Sequence, residues 1–397
     1  MSDRPAIRLR PKIDPRPLRH GFPWIYADQV VTDRRTRALA PGSLAVLEDA
    51  DRQPLGLVTV NSHSKIIARM LDRDPAAEIG APWLRDRLRR ALALRERLFD
   101  APFYRLVHAE ADQLPGLVVD RFGDACMMQP NAAWADVMTD AIADAIVEVT
   151  GAATIVKNAT GRARGLEGLD DETLVLRGTL DGPVPVAMNG ATYMADLTGG
   201  QKTGLFYDQR PNHAFAARLV PGGRVLDVFS HVGGFALAAL ARGAAHAVAV
   251  DGSAAALDLA EAGARAGGVA DRFATRRADA FEALADLGAA GERFDLVVCD
   301  PPAFAPAKPA LDAGLRAYER VARLAAPLVA PDGYLVLCSC SHAADLARFR
   351  TACQRGIGRA GRAAQLVHTG FAGPDHPQHP MLAETGYLKS LVWRLMP

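Results

Sequence analysis

From about Val184 onward, apolar runs of four to six residues alternate with helical stretches, and no other feature constrains the fold of this chain so strongly. Val225–Phe229, Ala247–Val250, Phe273–Arg276, Phe294–Cys299 and Tyr334–Cys338 read as strands. Gly233–Ala241, Ala254–Arg265, Ala280–Leu287 and Leu315–Val329 read as the helices between them. Strands without polar alternation must be covered on both faces, and strand–helix–strand crossovers make neighbouring strands parallel. The spacing therefore predicts an α/β, doubly wound, mostly parallel sheet. Ligands of such sheets sit at the carboxyl ends of the strands, near the point where the strand order reverses.

The chain upstream is built differently. At 397 residues it exceeds what one core usually holds. Short β-prone runs (Leu44–Leu47, Leu55–Val60, Ile66–Met70) separated by turn residues predict a small β-rich domain over 1–75. A Pro- and Gly-containing linker, Asp72–Pro82, follows it. Trp83–Phe99 has helical spacing. Strands at Leu117–Asp120 and Ala125–Gln129, a helix at Ala135–Val149 and strands at Ala153–Lys157 and Thr173–Arg177 give a small α+β domain of β-β-α-β-β (EEHEE) order over 76–184, leaving 185–397 for the α/β domain. The polar run Tyr104–Leu117 faces either the site or a domain interface.

Composition narrows the function classes. With 49% hydrophobic and 23% charged residues, long disorder and collagen-like repeats are excluded. The net charge of +1 hides an asymmetry: residues 1–40 carry nine basic and four acidic side chains, a local net of +5. A basic end on a near-neutral chain suits phosphate contacts with a nucleic acid, although a solvated Arg-rich tail has the same composition. The five cysteines are odd in number and lack CxxC spacing, which disfavours a disulfide framework or a metal site. No apolar run reaches the ~18 residues of a membrane helix and the first twenty residues lack a signal-like apolar core, so a soluble cytoplasmic protein is expected. The His376 and His379 pair reads as a solvated loop rather than a metal centre.

The residues placed to carry chemistry lie at strand ends. The first strand of the α/β domain runs through Asp227-Val228-Phe229-Ser230 to Gly233-Gly234, a small-residue turn entering a helix, where backbone can approach a nucleotide-like ligand. The GxGxxG pattern is absent, which disfavours a dinucleotide. Asp251 closes the second strand eighteen residues beyond Gly233, a place suited to ribose hydroxyls. Glycine plus Asp without a pyrophosphate site suits S-adenosyl-L-methionine. Asp279, after the third strand, is placed equally well for the adenine and for capping the next helix.

Asp300-Pro301-Pro302-Ala303-Phe304 ends the fourth strand, and its two prolines stiffen the loop so that carboxylate and carbonyls face a planar polar ligand. Enzymes that methylate exocyclic amines place an aromatic directly after the second proline; Ala303 stands there instead. Cys338-Ser339-Cys340-Ser341 ends the fifth strand. Cytosine C5 becomes nucleophilic only after attack at C6, so a cysteine here suits that chemistry, with Cys340 nearer the edge and Cys338 in the core. A structural cysteine is the competing reading. Gly199–Arg210 is dense in glycine and polar groups, expensive as core, and reads as a loop closing over the cofactor or as an exposed turn.

Taken together these segments resemble the bacterial large-subunit rRNA cytosine-C5 methyltransferases, which join an N-terminal PUA domain, a central α+β domain and a Rossmann-like class I methyltransferase domain. The resemblance runs nearly end to end: His20–Tyr26, Leu114-Pro115-Gly116 through Asp120–Gly123, Lys202-Thr203-Gly204 through Asp208-Gln209-Arg210, Phe229–Phe235, Asp300–Phe304 and Ser339-Cys340-Ser341. It implies Cys340 and Asp300 as catalytic residues. For S-adenosyl-L-methionine it implies Lys202, Thr203, Gly204, Phe206, Asp208, Arg210, Asp227, Phe229, Ser230, Gly233, Gly234, Asp251, Asp279, Asp300 and Pro301. The implied partner is large-subunit rRNA, gripped in part by the PUA domain, with no membrane and no metal; oligomeric state, a homodimer included, is left open. Ala303 departs from the family's usual Lys, removing a cation near the base, and offers no second cysteine for product release. Two other readings remain: RNA N-methylation by the DPP loop alone, and a non-catalytic RNA-binding assembly factor. A dehydrogenase fits worst.

Overall fold

The computed structural model describes residues 4–199 and 204–397. They fall into two units: the described residues up to Gly182 with 197–199 and Pro377–Ala383, and Pro183–Asp196 with Gly204–His376 and Glu384–Pro397.

The first unit holds two five-stranded sheets. One has the spatial order Ala6–Arg8, Ser43–Glu48, Pro54–Val60, Ala68–Asp72, Trp24–Ile25 around a core of Ile7, Leu9, Ile25, Leu47, Val58 and Val60. The other has the order Glu172–Arg177, Thr154–Ala159, Ala125–Pro130, Leu117–Phe122, Phe103–His108, with helices Ala81–Leu98 and Thr139–Thr150. The β-β-α-β-β pattern is thus present, with Phe103–His108 as a further strand that takes in the start of the polar run Tyr104–Leu117. Arg105 lies opposite Asp120 in register, and its guanidinium makes a two-pronged ion pair with that fully buried carboxylate. A charge buried by its cross-strand partner has no apolar signature. Downstream of this strand, Glu110 accepts bonds from Trp24 Nε1 (2.8 Å) and Arg69 (2.9 Å), and Arg69 also reaches Glu167 at 2.9 Å. The polar segment therefore contributes to an interface between the two sheets.

The second unit begins with the antiparallel pair Val184–Met188 and Ala191–Ala195. Its main sheet has seven strands: β1 (Arg224–Val228), β2 (His246–Asp251), β3 (Phe273–Arg277), β4 (Phe294–Cys299), β5 (Val329–Ser339), β6 (Ala364–Gly370) and β7 (Lys389–Leu395). Their order is β3-β2-β1-β4-β5-β7-β6, parallel except for β7, which runs antiparallel to both β5 and β6. The first five are the strands expected from the apolar runs; β6 and β7 extend the sheet beyond them. The order reverses between β1 and β4, so the carboxyl ends of these strands open onto one crevice. No helix among the described residues is long and apolar enough to cross a membrane.

Candidate functional site

The crevice at the end of β1 is formed by a turn held in uncommon backbone geometry. Phe229 (φ 61°) and His231 (φ 50°) both occupy the left-handed region, and Gly233 (φ 78°) caps the helix Gly234–Ala241. Non-glycine residues persist there only where their surroundings hold them. Here the Ser230 N–H donates to Val250 O (3.1 Å) and the His231 N–H to Asp251 Oδ2 (2.9 Å). Asp251 Oδ1 accepts from Ser253 N at 2.8 Å, which fixes the carboxylate at the rim of β2.

Asp227 is the one polar residue buried in β1. Its Oδ2 accepts from the N–H groups of Phe235 (3.2 Å) and Ala236 (3.0 Å), binding the strand to the positive end of the helix. Burial pushes its pKa up to about 7, against those two bonds. Asp227 Oδ1 and the nearby Ser230 Oγ are buried without a hydrogen-bond partner. Orphaned polar atoms of this kind are rare in protein interiors and mark where a ligand's polar groups would be satisfied.

His213, which the sequence reading passed over, explains Gly234. A Cβ on Gly234 would lie 2.7 Å from the His213 ring. That ring stacks on Tyr193 (centroids 6.5 Å apart) and meets Phe235 edge to face at 4.4 Å, so it cannot yield. Burial drives the His213 pKa down to about 3 and keeps the imidazole neutral. Gly234 thus serves ring packing at the floor of the crevice, whereas Gly233 supplies the turn.

On the opposite side, the loop leading into the helix Arg210–Ala217 closes on the end of β4. Gln209 Nε2 donates to Asp300 Oδ2 at 2.9 Å, and Asn212 Nδ2 donates to Gln209 Oε1 at 2.6 Å; both amides are buried. Asp208 accepts from the Tyr387 hydroxyl at 2.6 Å. Arg210 sits 5.4 Å over the Tyr207 ring; burial lowers its pKa and the Asp375 carboxylate opposes that shift. Glycine is required at position 204 both by its φ of 84° and because a Cβ would meet Asp196 O at 2.8 Å. Phe206 packs 5.0 Å from the His231 ring. Lys202 and Thr203 lie outside the described residues.

The ends of β4 and β5 are tied together. Ser341 Oγ accepts from Ala305 N (2.9 Å) and shares a 2.7 Å hydrogen bond with the Tyr318 hydroxyl, to which Ser339 Oγ donates at 2.9 Å. The segment just past the Asp300–Phe304 loop and the Ser339-Cys340-Ser341 turn are therefore joined by hydrogen bonds. Phe304 packs against Phe229, Phe281 and Tyr318 (6.3, 6.2 and 5.0 Å). Pro301 is buried and Ala303 half-buried. Cys340 is half-buried, whereas Cys126, Cys299, Cys338 and Cys353 are buried.

The crevice lining brings together Phe206, Asp227, Phe229, Ser230, Gly234 and Asp300 from the expected set, and adds Gln209, His213 and His231. Gln209 was within reach of sequence reasoning, standing between Asp208 and Arg210 in a run too polar for core. Asp279 is exposed and caps the helix Ala280–Ala289, accepting from Phe281 N and Glu282 N. His376 corrects one expectation: it is buried, with Nδ1 3.0 Å from the buried Asp375 carboxylate, because that pairing satisfies a ring the loop folds inward.

Comparison with known proteins agrees with this geometry. Residues 171–371 match the family model of S-adenosylmethionine-dependent methyltransferases, and residues 7–73 match that of PUA-like domains. The chain is 34% identical to the ribosomal RNA large subunit methyltransferase I of Aeromonas hydrophila over 95% of its length and 96% of the relative's. It is 33% identical to the ribosomal RNA large subunit methyltransferase of Deinococcus radiodurans, over 99% and 98%. Among solved structures it resembles a putative methyltransferase from Streptococcus mutans (TM-score 0.80, 17% identity, 98% and 100% coverage). A putative methyltransferase complexed with SAH is similar at TM-score 0.81 and 17% identity, with 98% and 99% coverage.

Proposed function

Because the chain belongs to the S-adenosylmethionine-dependent methyltransferase family, we propose that it forms 5-methylcytosine in large-subunit rRNA, with Cys340 as nucleophile and Asp300 at N3 of the base. The observation that carries this reading is the coupling of two strand ends: Ala305, just past the Asp300 loop, donates to Ser341, the residue after Cys340, while Asp300 itself lines the crevice. S-adenosyl-L-methionine, when bound, supplies an electrophilic methyl group on a sulfonium.

The residues present fit that cofactor. Asp227 Oδ1 and Ser230 Oγ are unsatisfied acceptor and hydroxyl groups facing one crevice. Asp251 would hold ribose hydroxyls, Phe229 and Asp279 would flank the adenine, and Phe206, Asp208 and Arg210 would close the near side with Gly204, Lys202 and Thr203. Pro301 and the backbone at Gly233 and Gly234 would shape the walls.

The Cys340 thiolate adds to C6 of the cytosine. The electron pair of the C5–C6 double bond moves toward C5 and N3, where Asp300 holds or gives a proton. Gln209 donates to Asp300 Oδ2 and so helps to orient that carboxyl. C5 then takes the methyl group with that electron pair. As a base removes the C5 proton, the C5–H pair re-forms the C5–C6 double bond, the C6–S bond breaks with its pair leaving on the Cys340 sulfur, and the proton at N3 is released. The target base must first leave its stack, at a cost of a few kcal/mol that a loop substrate lowers. Residues 1–75, as a PUA domain ahead of an α+β domain over 76–184, would grip the RNA by shape and phosphate contacts.

Purified wild-type protein and Cys340→Ala, assayed on rRNA lacking the modification, test the assignment by nucleoside mass spectrometry. The wild type yields 5-methylcytosine and the variant none. A methylated base other than 5-methylcytosine overturns the product, and full activity of the variant overturns the nucleophile.

A further inference from the structure

Lys389 is the first residue of β7, in register with Ser339 of β5, and its side chain is buried (4% exposed). Its ammonium donates to two backbone carbonyls, Ser341 O and Ala344 O, both at 2.7 Å. These carbonyls belong to the turn that directly follows Cys340. A buried ammonium is costly unless its donors are satisfied, and carbonyls leave its charge uncompensated. A lysine held this way is an expensive means of bracing a turn, which asparagine or water could do, so its charge needs a further purpose.

That purpose lies in the groups facing Cys340. Lys389 is a cation in electrostatic contact with it. From the helix side comes the Tyr318 hydroxyl, which burial pushes up to about 12 and so keeps neutral. Asp345, at the start of the helix Leu346–Arg359, acts on Lys389. Asp300 stands at the end of the adjacent strand β4, and His342 two residues along the turn. Lys389 is thus a buried positive charge that acts on the Cys340 sulfur from β7.

We propose that Lys389 is a positioning residue that braces the Ser341–Ala344 turn and stabilises the Cys340 thiolate. Ionisation sends the S–H proton to solvent and leaves the electron pair on sulfur; burial lowers the Lys389 pKa, and the Cys340 and Asp345 charges oppose that shift. This rests on the reading of Cys340 as nucleophile.

The test is the pH dependence of iodoacetamide alkylation, followed at the Cys340 peptide by mass spectrometry on the full chain without cofactor; the other four cysteines are buried and report little. In the wild type the apparent pKa is expected below the ~8.5 of a free thiol. Lys389→Met, with its fold checked by circular dichroism, should move it up by about one unit or more and lower kcat for methylation about tenfold with KM for RNA unchanged. A wild-type value at or above 8.5 overturns the proposal even if the variant fails to fold, and so does an unchanged profile in a folded Lys389→Met. Full methylation by Cys340→Ala would remove the nucleophile assignment while leaving the alkylation result standing, so the two failures are separable.

Discussion

Gln209 Nε2 donates to Asp300 Oδ2 at 2.9 Å, and through this bond the loop before the helix Arg210–Ala217 sets the orientation of the carboxylate at the end of β4. Asn212 holds Gln209 from behind and also donates to Phe371 O at 3.2 Å, so a buried amide chain stands behind the carboxylate. Such chains act as units, and losing one member leaves its neighbours unsatisfied.

Gln209→Leu removes the donor while keeping bulk. Methylation kcat should fall ~10²-fold, as expected for a reacting group released from its geometry. Single-turnover kinetics measures it, and a rate within twofold of wild type would show that Asp300 is oriented by other means.

Ser341→Ala should loosen the coupling of the Asp300 and Cys340 loops. It leaves the Ala305 N–H and the Tyr318 hydroxyl without that partner, at a cost of about 1–3 kcal/mol. Denaturant titration should show that loss, together with a fall in activity larger than the stability change accounts for. Unchanged stability would mean that water replaces the hydroxyl.

Asp227 and His213 make opposite contributions to stability as pH changes. The Asp227 pKa, raised by burial to about 7, means that the folded state holds a proton the unfolded chain releases near pH 4; its penalty grows as pH rises from 4 to 7 and stays constant above. Asp227→Asn should therefore stabilise the protein at pH 8 by an amount on the order of 4 kcal/mol and have little effect at pH 4. The His213 pKa, lowered to about 3, gives the reverse: stability is lost as pH falls from 6.5 toward 3, and His213→Gln should flatten that slope. Tm measured against pH for each variant relative to wild type decides, and parallel curves would refute both assignments.

Gly234→Ala should cost about 1–3 kcal/mol by driving a methyl group into the His213 ring. His213→Ala in the same chain should recover part of that loss, a coupling read from a double-mutant cycle. Additive effects would place the strain elsewhere.

The sequence by itself determined the elements whose burial follows a local period. The apolar runs of β1 to β5, the β-β-α-β-β order upstream and the placing of Asp300 and Cys340 at strand ends all follow from side chains that must leave water, and neighbouring residues report that requirement. Tertiary structure decided the features in which a polar group is buried against a partner distant in sequence. The strand Phe103–His108 hides its charge on Asp120, Gln209 finds Asp300 ninety-one residues away, Lys389 reaches carbonyls 45 and 48 residues back, and His213 makes a glycine of position 234 necessary. Hydrophobic burial is additive along the chain and leaves a periodic trace. A buried polar contact is pairwise, and its partner becomes known only when the fold brings the two together.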